Sequence, residues 1–416
     1  LLRQTLALAF TFVCTTIAWM ILGTTIFSRT YGSNEQLQGR VASTWGTSQQ
    51  QSPPSAGYFQ DHVENSTMVE NGKVVVRTQT VHQQFFLAVE ASRIHVNFHL
   101  NPRQKGLLWY STYAVDFSGD YTFRNDTPEA QTVDFRLKFP AQKAIYDGLE
   151  MKVNGQTVAL VTDDSGTVGQ ATLKPGETAS LNVGYRSQGL DSWRYELGDG
   201  VAQARDFMLT MQTNFRDIDF ADDTLSPTAK ELIPGGWQLT WQYSNLVSGF
   251  QIGMTMPTKL QPGPLAGEIS YAAPVSLFFF FFLMFIITTM RGIDLHPMNY
   301  FFLATAFFAF HLLLAYSVDH ISIHAAMVLS SVVSVGLVVS YLRLVVGLRF
   351  AAFEAGTAQL IYLVLFSYAF FWKGFTGLAI TIIAIITLFV VMQVTGRIRW
   401  AERFAARSRV PLPSVG

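Results

Sequence analysis

The chain has 416 residues, 49% of them hydrophobic and 14% charged, with 29 basic and 29 acidic side chains and a formal net charge of zero. That balance leaves no basic footprint of the kind a nucleic-acid binder carries. The single cysteine, Cys14, rules out an internal disulfide and a cysteine-based zinc site.

The averages hide two populations. Charges concentrate between Arg29 and Glu268, and residues 271–395 are nearly bare of them. The first apolar segment, 6–27, is longer than the roughly 7–15 residues of a signal-peptide core and lacks a small-x-small cleavage site. Apolar residues follow Cys14 where a lipoprotein would turn polar. The segment therefore reads as an uncleaved anchor (residues 1–28), and because the sequence opens on Leu1, further residues are expected before it.

Residues 29–60 turn polar and rich in Gln, Ser and Pro, which predicts a linker or extended arm, with Trp45 docking on a neighbour. From 61 to 268 the signal is β. Val133, Phe135, Leu137 and Phe139 alternate with Asp134, Arg136 and Lys138, the period of a half-buried strand. Tyr113, Val115 and Phe117 repeat it, as do Leu181, Val183 and Tyr185; further strands are expected at 207–213 and 238–243. Asn154-Gly155 is a type I′ hairpin signal, and Lys174-Pro175-Gly176-Glu177 suits a type II turn. Short strands without a long amphipathic helix predict an antiparallel β-sandwich.

Residues 269–396 hold five windows long enough to cross a bilayer, at 271–290, 299–318, 321–342, 356–372 and 375–395. Each approaches the roughly 20 apolar residues a helical span needs, and only a helix satisfies its own backbone in lipid. With the anchor this makes six spans in an α+β membrane protein. If the chain starts in the cytoplasm, Arg3, Arg291, Arg343, Arg349 and the basic tail 397–416 (Arg397, Arg399, Arg403, Arg407, Arg409) fall inside. Only Asp319, His320 and Lys373 occupy the short loops opposite, a positive-inside pattern. Both termini are then cytoplasmic and the β domain lies outside.

Several residues are candidates for a role. Leu295-His296-Pro297-Met298-Asn299-Tyr300 reads structurally as a helix start: Pro297 suits the first turn, Asp294 and Asn299 can cap it, and Arg291 can pair with Asp294. If the fourth span begins near Asp319, His320 and His324 share one helical face and Asp319 caps it. That makes a weak metal or proton site possible, against the blander reading of a hydrogen-bonded interfacial pair. His311 lies deeper in the third span, where an ionisable residue is a functional hypothesis by default. Ser330, Ser334, Gly336 and Ser340 form a small-residue stripe suited to close helix packing. Asp217, Asp219, Asp222 and Asp223 make an acidic loop without EF-hand spacing, read as solvated. Asn65-Ser66-Thr67 and Asn125-Asp126-Thr127 match glycosylation acceptors, a short pattern given no weight here. No nucleophile motif, P-loop or dinucleotide fingerprint is present, so no cofactor and no enzymatic activity are expected.

The stretch Leu295 to Tyr300, together with Leu312-Leu313-Leu314-Ala315-Tyr316-Ser317-Val318-Asp319-His320, resembles the CreD family of bacterial inner-membrane proteins. Leu295, His296, Pro297, Tyr300, Asp319 and His320 carry the likeness. It extends less sharply to Thr395-Gly396-Arg397-Ile398-Arg399-Trp400, and Trp45-Gly46 with the following glutamines is similar to the family's segment after the anchor. The resemblance implies one anchor, a large periplasmic domain, a C-terminal helical bundle and an association with envelope stress, with no catalytic activity to carry over. The expected function is a non-enzymatic membrane protein whose β domain binds a protein partner or ligand. The alternatives are an accessory subunit docking through its Phe-rich faces (Phe278 to Phe282, Phe301, Phe302, Phe307, Phe308) and, third, a transporter or channel component.

Overall fold

The computed structural model describes residues 2–396, apart from 33, 71, 72, 107, 199 and 373. Lys373 and the basic tail therefore lie outside the described residues. Contacts divide the chain into a helical unit (1–34, 106–108 and 260–416) and a β unit (35–105 and 109–259).

Among the described residues, six helices of the helical unit are long and apolar enough to cross a membrane: Leu6–Tyr31, Pro262–Arg291, Pro297–Ser317, Ile323–Val345, Phe350–Phe371 and Thr376–Thr395. The protein is a multi-pass membrane protein with a large β-rich domain between its first and second spans. The second span opens on Pro262, at a position where its missing N–H is no loss. It ends at Gly292, which adopts the left-handed conformation (φ 68°) and donates its N–H back to Thr288 and Thr289. The first and second spans pack closely because glycine lines their seam. A Cβ at Gly23 would meet the Tyr271 ring at 2.9 Å, and one at Gly267 would meet Phe27 at 2.8 Å. One core, including Trp19, Phe280, Phe307, Phe310 and Met327, joins the first five spans.

Close approach had been expected on the fourth span. There Ser330 and Ser334 are buried, but Gly336 meets nothing within 4 Å and lies exposed, as does Ser340. Gly336 is two residues from Ser334, about 200° round the helix, so the stripe divides between two faces. The Phe-rich surface divides too: Phe280, Phe281 and Phe307 enter the core, and Phe278, Phe301 and Phe302 stay exposed.

The β unit begins with a helix, Asn34–Trp45, and continues through β1 (Gln49–Gln51), β2 (Ser55–Glu70), β3 (Lys73–Leu87), β4 (Val89–Leu100), β5 (Arg103–Lys105) and β6 (Leu108–Tyr110). Next come β7 (Thr112–Arg124), β8 (Gln131–Lys138), β9 (Tyr146–Val153), β10 (Gln156–Thr157), β11 (Leu160–Asp163) and β12 (Gly166–Leu173). The series ends with β13 (Thr178–Leu190), β14 (Ser192–Tyr195), β15 (Ala202–Thr213), β16 (Ala229–Ile233), β17 (Gly236–Ser248) and β18 (Ile252–Thr255). An eight-stranded sheet runs β10-β9-β13-β7-β4-β15-β17-β16, and a five-stranded sheet runs β11-β12-β8-β2-β3. Both contribute to one buried cluster, Ile94, Val115, Leu181 and Leu209 from the first and Ala56, Val133 and Phe135 from the second.

The predicted strands occur where the alternation placed them: Tyr113, Val115 and Phe117 point inward from β7, and Leu181, Val183 and Tyr185 from β13. Asn154 and Gly155 have the positive φ of the type I′ turn, and Gly176 that of the type II turn. The larger sheet is mixed where an antiparallel one was expected, because β4 and β15 pair in parallel. Nothing in the alternation of a single strand reveals the direction of its neighbour.

The stretch read as a linker is folded. The first span reaches Tyr31, Asn34–Trp45 is helical, and Gln49 to Gln51 form β1 beside β14. Gln49 and Gln51 are buried in spite of their polarity, and side chains of β13 meet the Gln49 amide nitrogen and the Gln51 amide oxygen. Gln49 donates to Ser187 Oγ at 2.8 Å, and Gln51 accepts from the Tyr185 hydroxyl at 2.7 Å. Composition reports polarity, but burial depends on whether a polar group is hydrogen-bonded. Trp45 docks under the Arg103 guanidinium, 3.4 Å from its ring centre. Asn125 is likewise fully buried, donating to carbonyls of Glu129, Leu173 and Lys174, so that sequon is a turn anchor.

Candidate functional site

The histidine pair does not form. The fourth span starts at Ile323 with Ser322 as its N-cap, leaving Asp319 and His320 in the turn before it. His320 and His324 therefore do not share a helical face. Asp319 instead takes the Arg29 guanidinium of the first span at 2.5 Å, and His324 stacks on Phe371 at 5.1 Å. Among the described residues no group of three or more His, Cys, Asp or Glu side chains could hold a metal ion. The competing feature was Ser322, a better cap than its neighbours suggested, with an arginine 290 residues away claiming the carboxylate.

His311 is buried in the third span, with Nδ1 2.9 Å from its own helix's Phe307 carbonyl and its ring edge-on to Trp19 at 5.5 Å. In the motif loop the N-cap residue is His296, whose Nδ1 accepts from the Met298 N–H at 3.2 Å; Pro297 takes the first helical position. Asn299 accepts from the Tyr341 hydroxyl at 2.7 Å, tying the third span to the fourth. Leu295 and Tyr300 are buried, and Arg291 pairs with Glu354 at 2.6 Å. In the acidic loop, Asp219 and Asp223 use their backbone carbonyls to accept from Thr255 and Gln251 beside β18.

Glu354 went unread because the fifth span was placed at 356–372. The helix begins at Phe350 and carries two π-helical stretches, Phe350–Ala355 and Leu360–Leu365. Widened turns of this kind are frequent at functional sites. Between them Gln359 donates to Ser334 Oγ at 2.8 Å, which donates to the Ala306 carbonyl at 2.6 Å. Glu354 Oε2, Gln359 Oε1 and Ser330 Oγ are buried without a hydrogen-bond partner. No sequence signal marks a π turn, and one glutamate beside Arg349 reads as a loop.

The most developed surface feature lies in the β unit. Strand β8 pairs with β2 only over Ser55–Tyr58, yet β2 and β3 continue as a hairpin to the Glu70–Lys73 pair. Beyond Tyr58 the hairpin is a two-stranded arm, and β3 is an edge of its sheet. Ala56 and Tyr58 face the core, so by the period of two Gly57 and Phe59 face outward, together with their partners Phe86 and Gln84. Phe59 is 56% exposed, Phe86 64% and Val63 56%. Glycine at 57 makes room for this, since a Cβ there would lie 3.3 Å from the Phe86 ring. The same outer face carries Asp134, Arg136 and Lys138 of β8, and together they line a groove of about 690 Å³. Apolar anchors beside charged side chains along an open strand edge are the ingredients of strand-addition recognition.

No family model matches the chain, and no curated protein matches it. Among solved structures it is similar to a Legionella pneumophila protein named for nutrient binding, at 13% identity over 56% of this chain and 76% of that one, with a TM-score of 0.36. It is also similar to an M1 zinc metallopeptidase of Deinococcus radiodurans, at 13% identity over 41% of this chain and 42% of that one, with a TM-score of 0.26. The chain thus spans less than half of the metallopeptidase. Likenesses this slight assign neither fold nor activity.

Proposed function

We propose that this is a non-enzymatic membrane protein of CreD-like type, whose β unit captures a protein partner outside the cytoplasm along the β2–β3 arm. The observation that carries this is the arm itself. An isolated two-stranded hairpin is marginal in water, yet this one runs past its sheet with Phe59 and Val63 in solvent and with Phe86 exposed at its base, opposite Gly57. A partner strand on the β3 edge would satisfy the open backbone groups and cover the rings. The resemblance through Leu295 to Tyr300 and Asp319-His320 supports a place in the response to envelope stress of a bacterial inner membrane.

The orientation rests on charge. Arg291, Arg343 and Arg349 border one end of the spans, and the arginine at the other end, Arg29, is neutralised by Asp319. A reporter inserted beside Asp164, in the exposed turn between β11 and β12, is expected to read as extracytoplasmic, and one after Gly416 as cytoplasmic. The opposite pattern would overturn the orientation.

Partner capture is tested by the double substitution Phe59→Ala and Phe86→Ala in the full chain. Both side chains are solvent-exposed, so the expected result is unchanged thermal stability with loss of the stoichiometric partner on gentle extraction. Retention of the same partner at wild-type yield would defeat the proposal. A second reading, an accessory subunit docking within the membrane, is favoured by the exposed rings of Phe278, Phe301 and Phe302. It predicts the converse, with partners lost on substituting those rings and kept in the arm variant.

A further inference from the structure

The groove on the outer face of the five-stranded sheet is polarised along its strands. Gly57 pairs with Phe86 on one side and with Asp134 on the other, so these three stand in one row across the sheet. Phe59, opposite Gln84, is the next row towards the arm. In the other direction come Arg136, opposite Val168, and then Lys138, opposite Gly166. Side chains on one face recur about every 6.7 Å, which puts the Lys138 row about 13 Å along the strand from the Phe86 row.

Three charged side chains line the groove, and their surroundings differ. Arg136 is matched: it meets the Asp163 carboxylate at 2.9 Å. The Ser165 hydroxyl and amide, with Arg136, hold the Asp163 carboxyl down at about 2, so that pair stays ionised and neutral overall. Asp134 accepts from the Gln170 amide at 2.8 Å, a contact that leaves its negative charge in place beside Phe86. Lys138 is exposed, and among the described residues its ammonium has neither an ion pair nor a hydrogen bond. An anionic group is therefore repelled from the aromatic end by Asp134 and attracted to the far end by Lys138. The separation matches an extended polypeptide, in which residues four apart lie about 13 Å from each other and point to the same face.

We infer that the groove receives an extended segment of the captured protein, with an apolar side chain on Phe59 and Phe86 and a carboxylate four residues away on Lys138. Such a segment presupposes the partner capture proposed above and gives it a chemistry. No bond is made or broken.

The probes are end-blocked, dye-labelled peptides of threonine and valine carrying phenylalanine and, four residues away, aspartate, asparagine or lysine, each made in both chain orders. Their binding to the full chain in mild detergent is followed by fluorescence anisotropy. The aspartate peptide is expected to bind about twofold to fivefold more tightly than the asparagine peptide, the scale of an exposed ion pair, with the lysine peptide weakest. The order should flatten at high salt. Lys138→Gln should erase the order and Lys138→Glu reverse it, without change in thermal stability, whereas Phe59→Ala with Phe86→Ala should weaken all the peptides alike. Equal binding of the three peptides, binding of none, or the wild-type order in Lys138→Glu would overturn the inference. So would displacement of the aspartate peptide by dodecanoate at lower concentration than by unlabelled peptide, which would make the occupant an amphiphile. Capture itself is judged separately. A partner lost from the double Phe variant but held at wild-type yield by Lys138→Glu leaves capture standing and removes the carboxylate; a partner held by the double Phe variant defeats capture.

Discussion

The two units treat their buried polar groups differently. In the β unit they close on one another. Tyr121 and Tyr195 share a hydrogen bond of 3.1 Å, Tyr185 donates to Gln51, and Tyr113 donates to the Ser192 carbonyl at 2.8 Å. Burial pushes the Tyr113, Tyr185 and Tyr195 hydroxyls well above the usual tyrosine range, so these networks stay neutral donors throughout the physiological range. Among the described residues the β unit leaves Gln49 Oε1 and Trp193 Nε1 unmet. The helical unit leaves Trp19 Nε1, Thr289 Oγ1, Ser330 Oγ, Glu354 Oε2 and Gln359 Oε1. Three of these lie on or against the π-distorted fifth span. The lesson is that the β unit uses its interior polarity for stability and offers its surface for recognition, whereas the helical unit keeps polar valences open inside.

The largest test of that contrast is Trp193→Ala. Trp193 is fully buried against Phe98 and Tyr195, and its removal should destabilise the β unit by about 3–5 kcal/mol. Limited proteolysis of the full chain should then cleave the β unit first, with the helical unit intact.

A finer test pairs two glutamines. Gln51→Leu strands the Tyr185 hydroxyl and should cost about 1–3 kcal/mol in thermal or denaturant unfolding. Gln359→Leu removes an amide whose oxygen is already unmet and leaves Ser334 donating to Ala306, so it should cost less. Equal costs would erase the distinction between the units.

The smallest effect is pH-dependent. Asp191 follows β13 at φ 66°, and burial raises its carboxyl above the ordinary carboxylate range, with a Gln38 hydrogen bond at 3.2 Å acting the other way. A raised folded-state pKa means that the folded protein holds its proton to higher pH than the unfolded chain. Stability then declines as pH climbs through that window. Asp191→Asn tolerates the left-handed backbone and cannot ionise. It should be the more stable protein at neutral pH, with the advantage vanishing below the ordinary carboxylate range in paired melting curves.

Much of this architecture was legible in sequence because solvent imposes it. Long charge-free runs can only be spans, and the strands announced themselves through Tyr113, Val115 and Phe117 or Val133, Phe135 and Leu137. What escaped depends on distant partners. Gln49 and Gln51 look like linker residues until Ser187 and Tyr185 are beside them. Asp319 looks like a cap until Arg29 reaches it, and the parallel β4–β15 pair leaves no mark in either strand. Of the candidate sites, the motif loop was visible as a helix start. The arm and the pairing of Glu354, inside a π-helical stretch, with Arg291 emerge only when separate elements are assembled.

The most direct measurement of partner capture places a photo-crosslinking residue at Phe86 in the full chain, in native membranes, with a matched one at Lys230 on β16. A single saturable adduct from position 86, absent from position 230 and competed away by unlabelled wild-type protein, is the result the account predicts. Identical adduct patterns from both positions, or none from position 86, would contradict it.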